Sequence, residues 1–301
     1  MKELKTKTKS AVHAIKSHHL FDKIVVFDLN LDWINSTEAS MVHNIFLIIA
    51  LIKKAAKQQI VVLTTSASLN DLLNFAKKIG LHSGFLVCNF GSLIYDLKKK
   101  KIVYDDPISL DDVKMITHTA AIINTNFVLN SVKQKATFST DLISENYLVK
   151  NSYSQIDKIA DYDGLEKFFN SNKIYSINLF STNSYVYNRN LQLLENNLQA
   201  KNLRITKNAT SNFIVINNIT SSKCKAIIFV MQKNNVLKTN DVLYIACSCV
   251  DNECLYSFNN VIINDTEKIL TEVSNRTIRK FSNGITRLDL DFGAKTGKFW
   301  Q

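Results

Sequence analysis

Five short segments carry the residues that could do chemistry. The run Ile24-Val25-Val26-Phe27 ends in Asp28, which opens the polar stretch Leu29-Asn30-Leu31-Asp32. Ile60-Val61-Val62-Leu63 ends in Thr64-Thr65-Ser66, and Phe85-Leu86-Val87-Cys88 in Asn89. Val242-Leu243-Tyr244-Ile245-Ala246 runs into Cys247-Ser248-Cys249-Val250-Asp251, and Lys223 precedes an apolar-periodic stretch. A carboxylate, a hydroxyl, a lysine and a distal acid, in that order, make a phosphoryl-transfer set. The carboxylate attacks phosphorus, while the hydroxyl and the ammonium bind the phosphoryl oxygens. The acids hold Mg²⁺, because two anions approach each other only with a cation between them.

Those residues must be positioned by buried strands. Val- and Ile-rich runs of four or five residues, alternating with helical patterns, read as parallel β-α-β units, and ligands of such sheets bind outside the carboxyl ends of the strands. Strands are expected at about 24–28, 60–64 and 85–88, with helices over 37–57 and 69–79, the second closed by Gly80. The rhythm changes at a hairpin of 92–95 with 101–104. A helix over 109–125 follows, then a mixed region to about 218, with helical 163–170 and 187–200 and extended 175–180, 203–206 and 213–216. The parallel pattern resumes with helix 223–233, strand 242–246, helix 251–257, strand 261–263 and helix 266–274. The chain is thus expected to be α/β, a doubly wound parallel sheet with an α+β region inserted. Its parts are a basic arm over 1–22, core over 23–105, insertion over 106–218 and core again over 219–301.

Composition narrows the partners. A chain of 301 residues with 46% hydrophobic and 21% charged residues is an ordinary globular protein. The net charge of +11 comes from lysines spread along the chain, with a single tight run at Lys98–Lys101. Seven glycines, one proline and abundant Asn, Lys and Ile suggest an AT-rich genome, so a solvated basic surface outranks a nucleic-acid partner. The apolar segment 45–52 is too short to span a bilayer, and no secretory signal is visible, so cytoplasm is the default expectation. Five cysteines in such a compartment argue against a disulfide framework. The six histidines form no ligand or triad pattern. His43 and His118 read as helix packing residues, and Phe168, Phe169 and Tyr175 as core of the insertion.

The ordered motifs resemble the haloacid dehalogenase superfamily, and more closely its Cof-type and mannosyl-3-phosphoglycerate phosphatase branch, whose large α/β cap is inserted after the third strand. Asp28-Leu29-Asn30-Leu31-Asp32 falls on the family's DxDGT, Thr65 on its second motif and Lys223 on its third. Ala246 to Asp251 falls on GDSxND. The run 85–95 is similar to FIVENGGAIY, and Asn283-Gly284-Ile285 to a closing NGV. The resemblance covers roughly 23–105 and 213–290. It implies a Rossmann-like core with a C2-type cap, and a phosphatase of small phosphorylated metabolites working through an aspartyl-phosphate. Asp28 would be the nucleophile, with Asn30 at the acid–base position. Thr65, Ser66, Asn89 and Lys223 would bind phosphate or substrate, and Asp28, Asn30, Ser248 and Asp251 would hold Mg²⁺.

The departures are as informative. Asn30 stands where the family has an acid, and an amide cannot transfer a proton at neutral pH. Leu31 replaces a glycine, Cys247 the leading metal carboxylate of the fourth motif, and Val250 its Asn. A neutral thiol is a poor ligand for a hard cation. The competing reading is therefore a non-catalytic binding or regulatory protein that keeps the fold. A soft-metal or redox site of Cys247, Cys249 and Cys254 is the weakest alternative. The family's strand order would set Cys88 three strand spacings of about 4.8 Å from the fourth-motif strand, too far to share an ion with Cys247 readily.

Overall fold

The computed structural model describes residues 23–29, 48–123, 125–132, 135–138, 157–159, 161–181, 188–189, 192–194, 196, 202–208, 213–246, 254, 257–258 and 260–263. The first stretch contains β1 (Ile24–Asp28). Helical residues 48–55 (α1) lead into β2 (Ile60–Thr64), α2 (Leu69–Ile79) and β3 (Phe85–Cys88). The hairpin β4 (Leu93–Asp96) and β5 (Lys101–Asp105) follows. Next come α3 (Leu110–Ile122), β6 (Asn126–Ser131), β7 (Lys135–Phe138), β8 (Asp157–Lys158), α4 (Tyr162–Ser171) and β9 (Ile174–Phe180). The series closes with β10 (Leu203–Asn208), β11 (Phe213–Asn218), α5 (Lys223–Lys233), β12 (Val242–Ala246) and β13 (Asn260–Ile263).

These strands make two sheets, a seven-stranded one ordered β13-β12-β1-β2-β3-β4-β5 and a six-stranded one ordered β10-β11-β9-β6-β7-β8. In the first, β1 is flanked by parallel β2 and β12, and β4 and β5 extend the edge as an antiparallel hairpin. Every residue of β1 is buried, as a strand covered on both faces requires. Alternate side chains feed two cores. Val25, Phe27, Leu63, Leu86 and Ile245 pack with α2, whereas Ile24, Val26, Val62, Val87 and Tyr244 pack with α5. The architecture is therefore α/β and Rossmann-like, as the apolar runs imply. Cys88 and the end of β12 are separated by β2 and β1, which bears out the three-strand spacing.

Local signals set the helix ends. The Ser68 hydroxyl accepts from the Asp71 amide and caps α2, whose buried Leu69, Leu72, Phe75, Ala76 and Ile79 recur every three or four residues. Gly80, at φ 72°, closes it while its amide and that of Leu81 satisfy the last carbonyls.

In the second sheet, residues 127, 129, 177, 179, 214 and 216 face α3 and α4 with Phe168 and Phe169. Asn130, Ser176 and Asn217 are also buried, outside that apolar cluster. Helix α3 ends at Ile122, three residues short of expectation. Strands β6 and β7 emerge from the region read only as mixed. Tyr175, expected with Phe168 and Phe169, packs into the first sheet's core and not the second's. His118 is exposed and lines a cavity of about 460 Å³ between α3 and α4 with Met115, Leu165 and Phe169, so it is no packing residue. Residues 1–22, the start of the 37–57 helix, most of 187–200 and the 266–274 helix lie outside the described residues. No described helix is long and apolar enough to cross a membrane.

Candidate active site

Asp28 ends β1 in register with Thr64 and Ala246, at the carboxyl edge of the first sheet, and is 3% exposed. An isolated carboxylate there would be strongly destabilising. Two donors compensate it. The Lys223 ammonium donates to Oδ1 at 2.9 Å, and the Tyr244 hydroxyl to Oδ2 at 2.7 Å. Lys223 is 5% exposed and Tyr244 fully buried, so all three groups are shielded from water.

Each donor is placed by its element. Ser222 caps α5 by accepting from the Lys225 amide, which makes Lys223 the first helical residue. A cation at a helix N-terminus opposes the helix dipole, so its place depends on the Asp28 charge. Tyr244 lies opposite Val26, two residues back from the edge, and therefore shares a face with Asp28. Its ring stacks on Phe258, with centroids 5.7 Å apart and planes 11° apart. Burial first, then the Asp28 charge and the neighbouring Cys254 thiol, push the phenol well above its ordinary pKa. It stays a donor.

The loops after β2 and β3 form the adjoining wall. Thr65 is fully buried, and its hydroxyl accepts from the Ala67 amide at 3.2 Å. Its carbonyl accepts from the Phe90 amide, and the Asn89 amide donates to Ala67, so the two loops are tied together. Asn89 and Phe90 both take left-handed conformations, at φ 49° and 57°. Gly91 follows at φ 95°, where a Cβ would collide with the Ser222 carbonyl; glycine lets this loop reach the start of α5. There the Phe90 ring lies 5.9 Å from the Lys223 ammonium.

The Asn89 side chain is fully buried with neither amide atom hydrogen-bonded, and the Thr64 hydroxyl is likewise buried without a partner. Each such group costs on the order of 1–3 kcal/mol, a cost expected where a ligand supplies the missing bonds. Burial, and then the Asp71 charge, raise the Cys88 thiol well above its usual pKa, which leaves it inert.

The structure thus joins Asp28 directly to Lys223 and links Thr65 and Asn89 to them through the Phe90 loop. Ser66 is exposed. Asn30, Asp32, Cys247, Ser248, Cys249 and Asp251 lie outside the described residues. Tyr244 and Phe90 went unnoticed in the sequence, although a tyrosine in a buried strand needs a partner for its hydroxyl.

The described residues do not by themselves fit a magnesium site. They supply one carboxylate at this edge, and its two oxygens already receive an ammonium and a hydroxyl. Among the described residues no group of three or more His, Cys, Asp or Glu could hold a metal ion.

Comparison with known proteins agrees with this geometry. Residues 43–245 match the family model of haloacid dehalogenase-like hydrolases. No curated protein matches the sequence. Among solved structures, the chain is similar to a haloacid dehalogenase-like hydrolase from B. subtilis, at 14% identity and TM-score 0.64 over 80% of this chain and 88% of that one. A HAD/COF-like hydrolase from Plasmodium vivax is 16% identical, with TM-score 0.64 over 84% and 87%. A HAD subclass IIB sugar phosphatase is 10% identical, with TM-score 0.58 over 86% and 99%. At these identities the structural likeness speaks for the fold.

Proposed function

The chain belongs to the haloacid dehalogenase-like hydrolases, and from that premise we propose that it hydrolyses a small phosphorylated metabolite, of the sugar phosphate or phosphoglycerate type, through an aspartyl-phosphate on Asp28. The observation that carries this reading is the buried ion pair of Asp28 and Lys223, 195 residues apart, at the carboxyl edge of the parallel sheet. A buried pair is weak evidence for stability alone, because apolar residues of similar volume would often serve as well. Chemistry gives it a reason.

In the proposed reaction a carboxylate oxygen of Asp28 forms the bond to phosphorus as the bond to the leaving alcohol breaks. The electron pair departs on that alcohol oxygen, which takes a proton from water because Asn30 has none to give. A second water then attacks phosphorus as the P–O bond to Asp28 breaks. Inorganic phosphate leaves, the carboxylate is freed, and the water's proton neutralises the hydroxide left by the first step. Lys223 offsets the charge brought by the phosphoryl oxygens. Thr65, Ser66 and Asn89 are assigned to the phosphoryl group, and the unpartnered Asn89 amide supports that assignment. Mg²⁺, carried over from the family with Asp28, Asn30, Ser248 and Asp251, would lend charge stabilisation when bound.

The insertion over 106–218 is read as a cap that closes over this edge and sets specificity. Its crossings support that boundary. Asp106 accepts from Asn218 at 2.9 Å and from the Thr220 and Ser221 hydroxyls, so both connections meet at one carboxylate. The likeness to a sugar phosphatase supports a sugar phosphate as the substrate class. The decisive test is hydrolysis of an aryl phosphate, with and without Mg²⁺, by wild type and Asp28→Asn. Turnover that disappears in the variant supports the enzyme. No turnover on a broad phosphometabolite panel would favour a phosphate-binding protein, the reading to which Asn30 and the doubly engaged Asp28 lend weight.

A further inference from the structure

We propose that Tyr244 is a positioning residue for Asp28: its hydroxyl and the Lys223 ammonium fix the one orientation from which the carboxylate meets a phosphoryl group. This inference rests on the reading of Asp28 as the nucleophile.

The torsion that turns a carboxylate about its last bond is broad and close to two-fold, so an untethered Asp28 would exchange its oxygens freely. Here separate donors hold the two oxygens, Lys223 on Oδ1 and Tyr244 on Oδ2. The carboxylate plane is thereby set. Neither tether is loose. Lys223 is buried at the first turn of α5, and the fully buried Tyr244 ring stacks on Phe258. In the Tyr244–Asp28 bond the phenol is the donor and the carboxylate oxygen the acceptor. The strand neighbours of Tyr244 on this face, Val242 and Ala246, are apolar, as are Ile24 and Val26 beside it. Besides Asp28, the polar group beside the phenol is the Cys254 thiol, a far weaker acceptor than a carboxylate.

Donation has an opposing effect. A hydrogen bond draws charge from the carboxylate and lowers its nucleophilicity. Orientation outweighs this, because misplacement of a reacting group by about 1 Å can cost 10²-fold. The two effects predict opposite outcomes for Tyr244→Phe, which keeps the ring and its stack on Phe258 and removes the hydroxyl alone.

The test combines kinetics with isotope-edited infrared spectroscopy. With ¹³C-labelled aspartate, the Asp28 carboxylate band is identified as the one lost in Asp28→Asn. In Tyr244→Phe that band is expected to shift, while kcat on an aryl phosphate falls about 10- to 100-fold and KM stays within about twofold. An unshifted band, or a kcat that is unchanged or raised, overturns the inference. So does a loss of kcat that comes with a parallel rise in KM and a lower melting temperature, which would mark general structural damage. If Tyr244→Phe does not fold, ring-deuterated tyrosine in the native chain decides the matter. Its C–O band must differ between wild type and Asp28→Asn, and identical bands overturn the proposal. A wild type without turnover would sink the function proposed above, and the band shift would then decide this inference alone.

Discussion

Asp28 and Asp106 each gather residues from distant parts of the chain, but in opposite surroundings. Asp28 is sealed in the core and faces a full positive charge and a phenol, from residues 195 and 216 positions away. Asp106 is half-buried where the two crossings meet, and its partners Asn218, Thr220 and Ser221 are neutral. A charged pair out of water has one good geometry and a steep cost for leaving it. A half-exposed carboxylate among hydroxyls and an amide can exchange partners, or accept water, at little cost. The first arrangement suits a group whose orientation matters; the second suits a joint. The two are linked, since the Ser92 hydroxyl lies within donating distance of both the Ser221 hydroxyl and the Asn89 carbonyl.

The contrast can be broken at either corner. The largest effect is expected for Asp28→Asn, which should lower aryl-phosphate turnover by roughly 10⁴-fold or more, as for loss of other nucleophiles. Lys223→Met leaves Asp28 buried without its cation and should destabilise the fold by about 3–5 kcal/mol in urea unfolding. Asp106→Ala should cost only about 1–2 kcal/mol in the same assay, because neutral hydrogen bonds are lost and water can replace them. Its main signature should be a changed KM. Equal losses at Lys223 and Asp106 would remove the distinction between clamp and joint.

The smallest effect concerns Tyr175, whose hydroxyl lies 3.4 Å from Asp105 beside the crossing. Burial, then the Asp105 charge and the hydrogen bond to it, raise its pKa. A folded-state pKa above the unfolded one means that the contribution is complete below the unfolded value and fades as pH rises past it, from about 10. Wild-type stability should therefore fall more steeply above that pH than that of Tyr175→Phe, as followed by thermal melts across a pH series.

Most of the first sheet was legible because its parallel strands β1, β2, β3 and β12 are buried and read as continuous apolar runs. That Asp28 and Lys223 share one edge was legible too, since strand ends and helix starts converge there in such a sheet; their direct ion pair was not. Strands β6 and β7 were not. Asn126-Phe127-Val128-Leu129-Asn130-Ser131 mixes polar and apolar residues because its sheet has an apolar face toward α3 and α4 and a second face carrying Asn130. Tyr175 was assigned to the wrong core because it follows Ile174, where the pairing of β9 with β6 slips at Asn130 and Ser131. A slip of register exchanges faces, and no local pattern announces it. Tyr244 escaped notice for a different reason. A tyrosine in an apolar strand reads as packing until the register places its hydroxyl beside Asp28. The Asp106 joint depends on contacts 112 to 115 residues apart, which no spacing rule reveals.

The most direct test of the central claim is chemical trapping of the intermediate. Wild-type protein is mixed with an aryl phosphate, quenched in acid during turnover and reduced with borohydride, which converts an aspartyl-phosphate to homoserine. Peptide mass spectrometry should then find homoserine at position 28, and none there in Asp28→Asn. Turnover with Asp28 left unreduced, or homoserine at another position such as Asp32, would contradict the account.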